Sequence, residues 1–215
     1  MYKKSDEKKG LLFVVSGPSG VGKGTVIKEL MQRDPMLCLS ISMTSRPRRP
    51  NEVNGKDYFF VSESEFLEHI EKDNLLEWAK VHGNYYGTPK DYVLKKLSEN
   101  SDVVLEIDTR GASKIKSLYP DAILIFIVPP RWCDLRLRLE TRSSENFDEI
   151  KRRLSRSIEE IEEYFIYDYI IVNSSVIEAA SELECIIVAQ RAKRERREDI
   201  ISRLRSEIQF GQEVI

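Results

Sequence analysis

The chain has 215 residues, 41% of them hydrophobic and 33% charged, enough to bury one sizeable core and to form a single globular unit with appendages. Its 34 Lys+Arg against 36 Asp+Glu leave a formal charge of −2, so no global field favours nucleic acid or an anionic membrane, and any anion site must be local. Three cysteines, Cys38, Cys133 and Cys185, without a CxxC pair, exclude a disulfide framework and a usual zinc site and are expected as ordinary buried thiols in a reducing compartment.

A charged stretch at 1–9 is expected as a flexible tail. The apolar run at 11–15 is too short for a signal sequence and leads into a glycine loop rather than a cleavage site. The longest purely apolar stretch, 122–128, is far short of the roughly 20 residues needed to span a bilayer. The sequence therefore predicts a cytoplasmic protein without a membrane or nucleic-acid partner.

The run at 11–15, apolar at every position, predicts a strand buried on both faces, and the amphipathic segment at 21–33 predicts a helix after an intervening loop. Runs at 103–107, 123–128 and 169–172 have the same strand character. Four such strands separated by helical patterns predict an α/β fold, a parallel sheet flanked by helices. Residues 37–99 read differently, with short half-polar strands at 58–61 and 75–79 among turns, and are expected as a small β-rich insertion. Within it, Ser62 and Glu65 make a capping box for a helix at 63–72, and Pro89 suits the first turn of another running to about 99. Helices at 132–140 and 148–164 flank a polar, arginine-bearing link at 141–147, a pattern suited to a helical lid over about 132–160. The core is thus expected at 10–36 and 100–190. Residues 191–215 read as a helical extension, expected to dock on the core.

Gly17-Pro18-Ser19-Gly20-Val21-Gly22-Lys23-Gly24-Thr25 follows a buried strand and opens a helix, the context a phosphate-binding P-loop requires. Its glycines let successive backbone N–H groups face one concavity, the helix start adds its dipole, and Lys23 supplies a point charge. Gly24 stands where Ser or Thr would reach Mg²⁺, so the ion is expected to arrive with the nucleotide, held mainly by water and phosphate. Downstream, Arg46, Arg48 and Arg49 fall within four positions, followed by Tyr58 on an aromatic strand. Arginine forks match phosphate oxygens, and a tyrosine hydroxyl can complete such a cradle. These residues read as a monophosphate site beside the polyphosphate site. His69 and His82 are lone histidines without the partners nucleophilic catalysis needs.

The run at 44–58, Leu76-Glu77-Trp78, Gly83-Asn84-Tyr85-Tyr86-Gly87-Thr88 and Leu105-Glu106-Ile107-Asp108, in that order, resemble the signatures of the guanylate kinase family, with the likeness extending over about 10–190. The resemblance implies transfer of the γ-phosphoryl group of ATP to GMP. It implies that Arg46, Arg49, Tyr58 and Tyr86 hold the GMP phosphate and that Ser42, Glu77 and Thr88 meet the base. Guanine offers two donors beside one acceptor; Glu77 can take both donors while the hydroxyls donate to O6. The resemblance further implies that Glu106 and Asp108 orient the metal's waters and the acceptor side. Arg138, Arg142 and Arg153 match arginines on and around the lid, and Asn173 matches an asparagine near the adenine. The chain departs from the family pattern at Glu106, often Asp, and at Arg110, often Gln. It departs again at Thr141 and Ser143, often Gly, and at Ser174-Ser175, often acidic. Lys23, Arg46, Arg49, Arg142 and Arg153 are the expected catalytic residues, and the protein is expected as a monomer or homodimer. A guanylate-kinase-like scaffold module is the alternative, but such modules usually lack the intact P-loop present here.

Overall fold

The computed structural model describes residues 9–81, 83–142 and 147–212, with the side chains of 142, 147–149 and 210–212 left out of the description. Most of the expected tail at 1–9, His82, the Arg142 side chain and most of the 141–147 link therefore lie outside the described residues.

The larger sheet is parallel, with strand order β2-β7-β1-β8-β9. Here β1 is Leu12–Ser16, β2 Cys38–Leu39, β7 Val103–Glu106, β8 Ile123–Val128 and β9 Tyr169–Val172. Alternation along β1 divides the core between the two faces. Phe13 and Val15 pack with Val26, Ile27 and Leu30 of α1 (Lys23–Arg33), Leu135 and Leu139 of α5 (Trp132–Arg142), and Ala179, Ala180, Leu183 and Ile187 of α7 (Val176–Arg191). Leu12 and Val14 pack on the opposite face with Val93 of α3 (Lys90–Ser98) and with Ala112 and Ile115 of α4 (Thr109–Leu118). The apolar runs of β1, β7 and β8 lack a polar face because helices cover both sides of the sheet there; the edge strand β9 does not share this, since Ile170 and Val172 are exposed and only Ile171 is buried. The sheet has five strands rather than four: β2, two residues long, adds an edge to β7.

The smaller sheet has the order β4-β3-β6-β5, from β3 (Met43–Thr44), β4 (Phe59–Phe60), β5 (Leu75–Val81) and β6 (Asn84–Pro89). Its own core of Met43, Phe66 and Leu75 is covered by α2 (Glu63–Glu71). At the start of α2 the Ser62 hydroxyl accepts the Glu65 N–H at 3.2 Å while Glu65 accepts the Ser62 N–H at 2.7 Å, closing the capping box. Pro89 caps α3 from just outside its first turn, one position before the place expected.

Two expectations are overturned. Cys133 and Cys185 are exposed, and only Cys38 packs, half-buried, against the core. The last helix of the C-terminal extension does not dock on the core: Arg191, at the end of α7, donates to Asp34 and Asp102, each at 2.6 Å, Arg196 of the following 3₁₀ turn donates to the Lys9 carbonyl at 2.9 Å, and the chain then leaves the core. The last helix, α8 (Glu198–Gln212), is exposed at every described side chain, Ile201, Leu204 and Ile208 included. Its apolar positions follow helical spacing but meet no face of the described fold.

Candidate active site

The P-loop joins β1 to α1 at the C-terminal end of the sheet, where open α/β folds place their ligands. Gly22 caps α1 with φ 101°, and a Cβ there would stand 2.7 Å from Asn173 Nδ2. Glycine is required on both counts. The Lys23 ammonium folds back to donate to the Gly17 carbonyl at 2.6 Å. Burial lowers its pKa, while the carboxylates of Glu106, Glu160 and Asp108 act in the opposite direction.

Parallel pairing of β7 with β1 sets Glu106 beside Val15, the residue before the last of β1. Burial raises the Glu106 carboxyl above its ordinary range, with Lys23 pulling the other way. A Cβ on Gly24 would lie 3.2 and 3.3 Å from the two Glu106 oxygens, so this carboxylate fills the space that a longer side chain after Lys23 would take. Two residues on, Asp108 caps α4, accepting the Gly111 N–H at 2.9 Å.

Antiparallel pairing in the smaller sheet puts Glu77 directly opposite Thr88 and Ala79 opposite Tyr86. The Thr88 hydroxyl donates to Glu77 Oε1 at 2.6 Å, and Glu77 is only 4% exposed. Burial pushes its carboxyl up to about 7, against the pull of the Thr88 bond. Tyr58 meets Tyr86 edge-on, ring centres 6.1 Å apart, and burial raises its hydroxyl to about 12.

These groups converge on one cavity of about 360 Å³. From the P-loop come Gly17, Ser19 and Lys23; from the smaller sheet and its loops, Ser42, Arg49, Tyr58, Glu77 and Tyr86; from the end of β7, Glu106 and Asp108. Helix α6 (Phe147–Glu162) adds Arg153, whose guanidinium donates to the Ser19 hydroxyl at 2.9 Å. The P-loop residues and the arginine and tyrosines of the smaller sheet thus line a single space.

Other expected residues stand outside the cavity wall. Thr88 sits behind Glu77. Arg46 forms a fork with Glu52, two bonds of 2.8 Å, lies over the Tyr58 ring at 5.2 Å, and is held cationic chiefly by that carboxylate. Arg138 donates to the carbonyls of Val21 and Asn173 at 3.0 and 2.8 Å, and Asn173 donates to Val21 at 2.8 Å. Both therefore brace the P-loop, and Arg138 also lines a second depression with Pro130, Arg131, Leu137 and Ser174. Pro18, Gly20, Val21 and Thr25 complete the loop and the first turn of α1, with Thr25 exposed. Arg156 and Glu160 line the cavity and Glu52 holds Arg46, although sequence reading passed over all three. The signal for the first two was the spacing 153, 156, 160, one face of a helix.

The sequence matches the protein-family profile described as guanylate kinase over residues 9–190. The chain belongs to the guanylate kinase family. A guanylate kinase of Caldanaerobacter subterraneus subsp. tengcongensis is 47% identical to it over 203 residues, covering 94% of this chain and 98% of that one. A guanylate kinase of Thermotoga maritima is 42% identical over 200 residues, covering 93% and 97%. Among solved structures, a guanylate kinase from Anaplasma phagocytophilum superposes with a TM-score of 0.75 at 32% identity, covering 88% of this chain and 90% of that one. In this chain the parallel sheet, the P-loop and the smaller sheet are the elements that build the cavity described above.

Proposed function

We propose that this guanylate kinase moves the γ-phosphoryl group of ATP to GMP inside the cavity between the P-loop and the smaller sheet, with GMP's base read by Glu77. The observation that supports this reading most is Glu77 itself, a buried carboxylate held by Thr88 opposite a phosphate cradle. Guanine N1–H and its 2-amino group supply two donors to that carboxylate. Adenine presents an unprotonated N1 and no 2-amino group, leaving the charge underpaired at a cost on the order of 2–5 kcal/mol.

Arg49, Tyr58 and Tyr86 would hold the GMP phosphate, with Arg46 oriented behind them by Glu52. Ser42 lies on the same wall for O6 or the ribose. The P-loop amides and Lys23 would hold the ATP phosphates, and Arg153, already bonded to Ser19, lies where charge spreads during transfer. Arg142 is carried over as a lid arginine from the family pattern alone. Arg138 and Asn173 act through the P-loop backbone, and Arg138 lines the depression suited to the adenine.

Family kinases use a divalent ion, here proposed as Mg²⁺. The donor set fits an ion brought in by ATP: Gly24 offers it no hydroxyl, while Glu106 and Asp108 line the cavity beside Lys23. Glu106, beside the bare backbone of Gly24, offers one carboxylate for the ion or its waters. The bound ion would neutralise charge on the transferred phosphates. The rest of catalysis is alignment and electrostatic stabilisation, with water excluded as α5 and α6 close over ATP.

Among the described residues no helix is long and apolar enough to cross a membrane. We place the reaction in the cytoplasm. Lys23→Ala and Arg49→Ala test the phosphate assignments: each is expected to lower turnover by roughly 10²-fold or more with an unchanged circular dichroism spectrum. Turnover at the parent rate in both would show the phosphate sites to be misplaced.

A further inference from the structure

Helix α6 sends three polar side chains into the cavity, Arg153, Arg156 and Glu160. The latter two form a relay across the site. Arg156 Nε donates to Glu160 Oε1 at 2.9 Å, and Arg156 Nη2 donates to Asp108 Oδ2 at 2.9 Å. Each carboxylate is in turn fixed by backbone. Glu160 Oε2 accepts the Ser19 N–H of the P-loop at 3.2 Å, and Asp108 Oδ1 accepts the Gly111 N–H at the start of α4 at 2.9 Å.

The guanidinium is therefore clamped on two of its three nitrogens, between the donor loop and the acceptor side. Its third nitrogen, Nη1, carries two N–H donors that meet no hydrogen-bond partner among the described residues, on a side chain lining the cavity with Lys23 and Arg49. An arginine normally loses much rotamer freedom on binding an anion; here that ordering precedes substrate. A clamped fork with unspent donors in a phosphate cavity is the preorganised arrangement that stabilises charge as it develops.

We propose that Arg156 is a further catalytic residue of phosphoryl transfer, donating through Nη1 to an oxygen of the γ-phosphoryl group in flight, with Glu160 and Asp108 as its positioning residues. The inference rests on assigning this cavity to transfer between ATP and GMP. In that step an oxygen of the GMP phosphate bonds to the γ-phosphorus while the bond from that phosphorus to the β,γ-bridging oxygen breaks. The bond's electron pair leaves on ADP. Arg156 keeps its protons throughout and offsets charge on the equatorial oxygens.

The test is steady-state ADP release by the full chain, with ATP and GMP varied separately. Arg156→Ala is expected to lower kcat by roughly 10²-fold while both KM values stay within about 3-fold, because the lost contact belongs to the transition state. Free guanidinium at roughly 20–50 mM, well below denaturing concentrations, is expected to restore part of kcat in this variant and to leave the parent unchanged. Arg156→Lys keeps a cation for Asp108 and Glu160, and so supports the fold, yet it cannot hold both and still present a fork. Its kcat is also expected to fall, and it decides the matter if the alanine variant does not fold. Parent-like kcat in Arg156→Lys would overturn the proposal. So would a loss confined to KM, or a loss in a natively melting Arg156→Ala that guanidinium does not relieve. Lys23→Ala is assayed in parallel: if it also turns over at the parent rate, the assignment of the cavity has failed rather than the role of Arg156.

Discussion

Glu77 is the residue to which we assign base selection, and its environment gives it a pH signature. Its carboxyl titrates near 7 in the folded protein against an ordinary value of 4.5. The folded state therefore holds more protons than the unfolded chain between those values, and Glu77's contribution to stability falls as pH rises from about 4.5 to 7. Above that window the buried charge costs on the order of 3 kcal/mol until a partner arrives. In the proposed complex guanine is that partner and requires the ionised form. GMP affinity is expected to rise as pH increases through 7, with a proton released on binding below it. Calorimetry in buffers of different ionisation enthalpy measures this, and Glu77→Gln is expected to remove that component while keeping the one due to the GMP phosphate. An identical pH profile in both proteins would count against Glu77 as the base reader. A second residue-scale prediction concerns Gly111, where a Cβ would stand 2.9 Å from Glu77 Oε2. Gly111→Ala favours the helix by up to about 1 kcal/mol yet displaces the carboxylate. It is expected to raise KM for GMP by roughly 10-fold with KM for ATP unchanged, read in the same kinetic assay. At this scale the sequence pointed to Lys23, Arg49 and Glu77, which the fold brings to one cavity, because fixed chemistry sits in recognisable neighbourhoods. It hid the Arg46–Glu52 fork, since a glutamate in a polar turn looks like any solvated carboxylate until the loop brings it back.

Among the elements, the parallel strands were legible as unbroken apolar runs: β1, β7, β8 and β9 lie within one residue of their expected positions, although Ile170 and Val172 leave one face of β9 exposed. The two-residue strands β2 and β3 carry no periodicity to read, and they pair because longer neighbours present free edges. The extension misled for a related reason. Helical spacing at Ile201, Leu204 and Ile208 reports amphipathicity but not which surface, if any, receives it. Helix α7 has its receiver in α1 and the sheet, whereas α8 meets none in the described fold. Truncation after Arg197 is accordingly expected to leave kcat, both KM values and the thermal midpoint within error of the full chain. Thermal unfolding and the ADP-release assay check this; a drop of more than about 5 °C, which is roughly 1–2 kcal/mol for a domain of this size, would show that α8 supports the core.

On the scale of the whole molecule, two sheets with different tasks meet at one cavity. The parallel sheet delivers the P-loop, Glu106 and Asp108 at the C-terminal ends of adjacent strands, while the smaller sheet delivers Glu77 and the arginine–tyrosine cradle. A formal charge of −2 gives the protein no general attraction for anions, so selection falls to this local arrangement. The most direct measurement is ADP release with ATP as donor and GMP, AMP, CMP or UMP as acceptor at matched concentrations. kcat/KM for GMP is expected to exceed that for AMP by roughly 10²-fold or more, the selectivity of a buried carboxylate satisfied by one base and not by the other. Equal values for GMP and AMP would contradict the account.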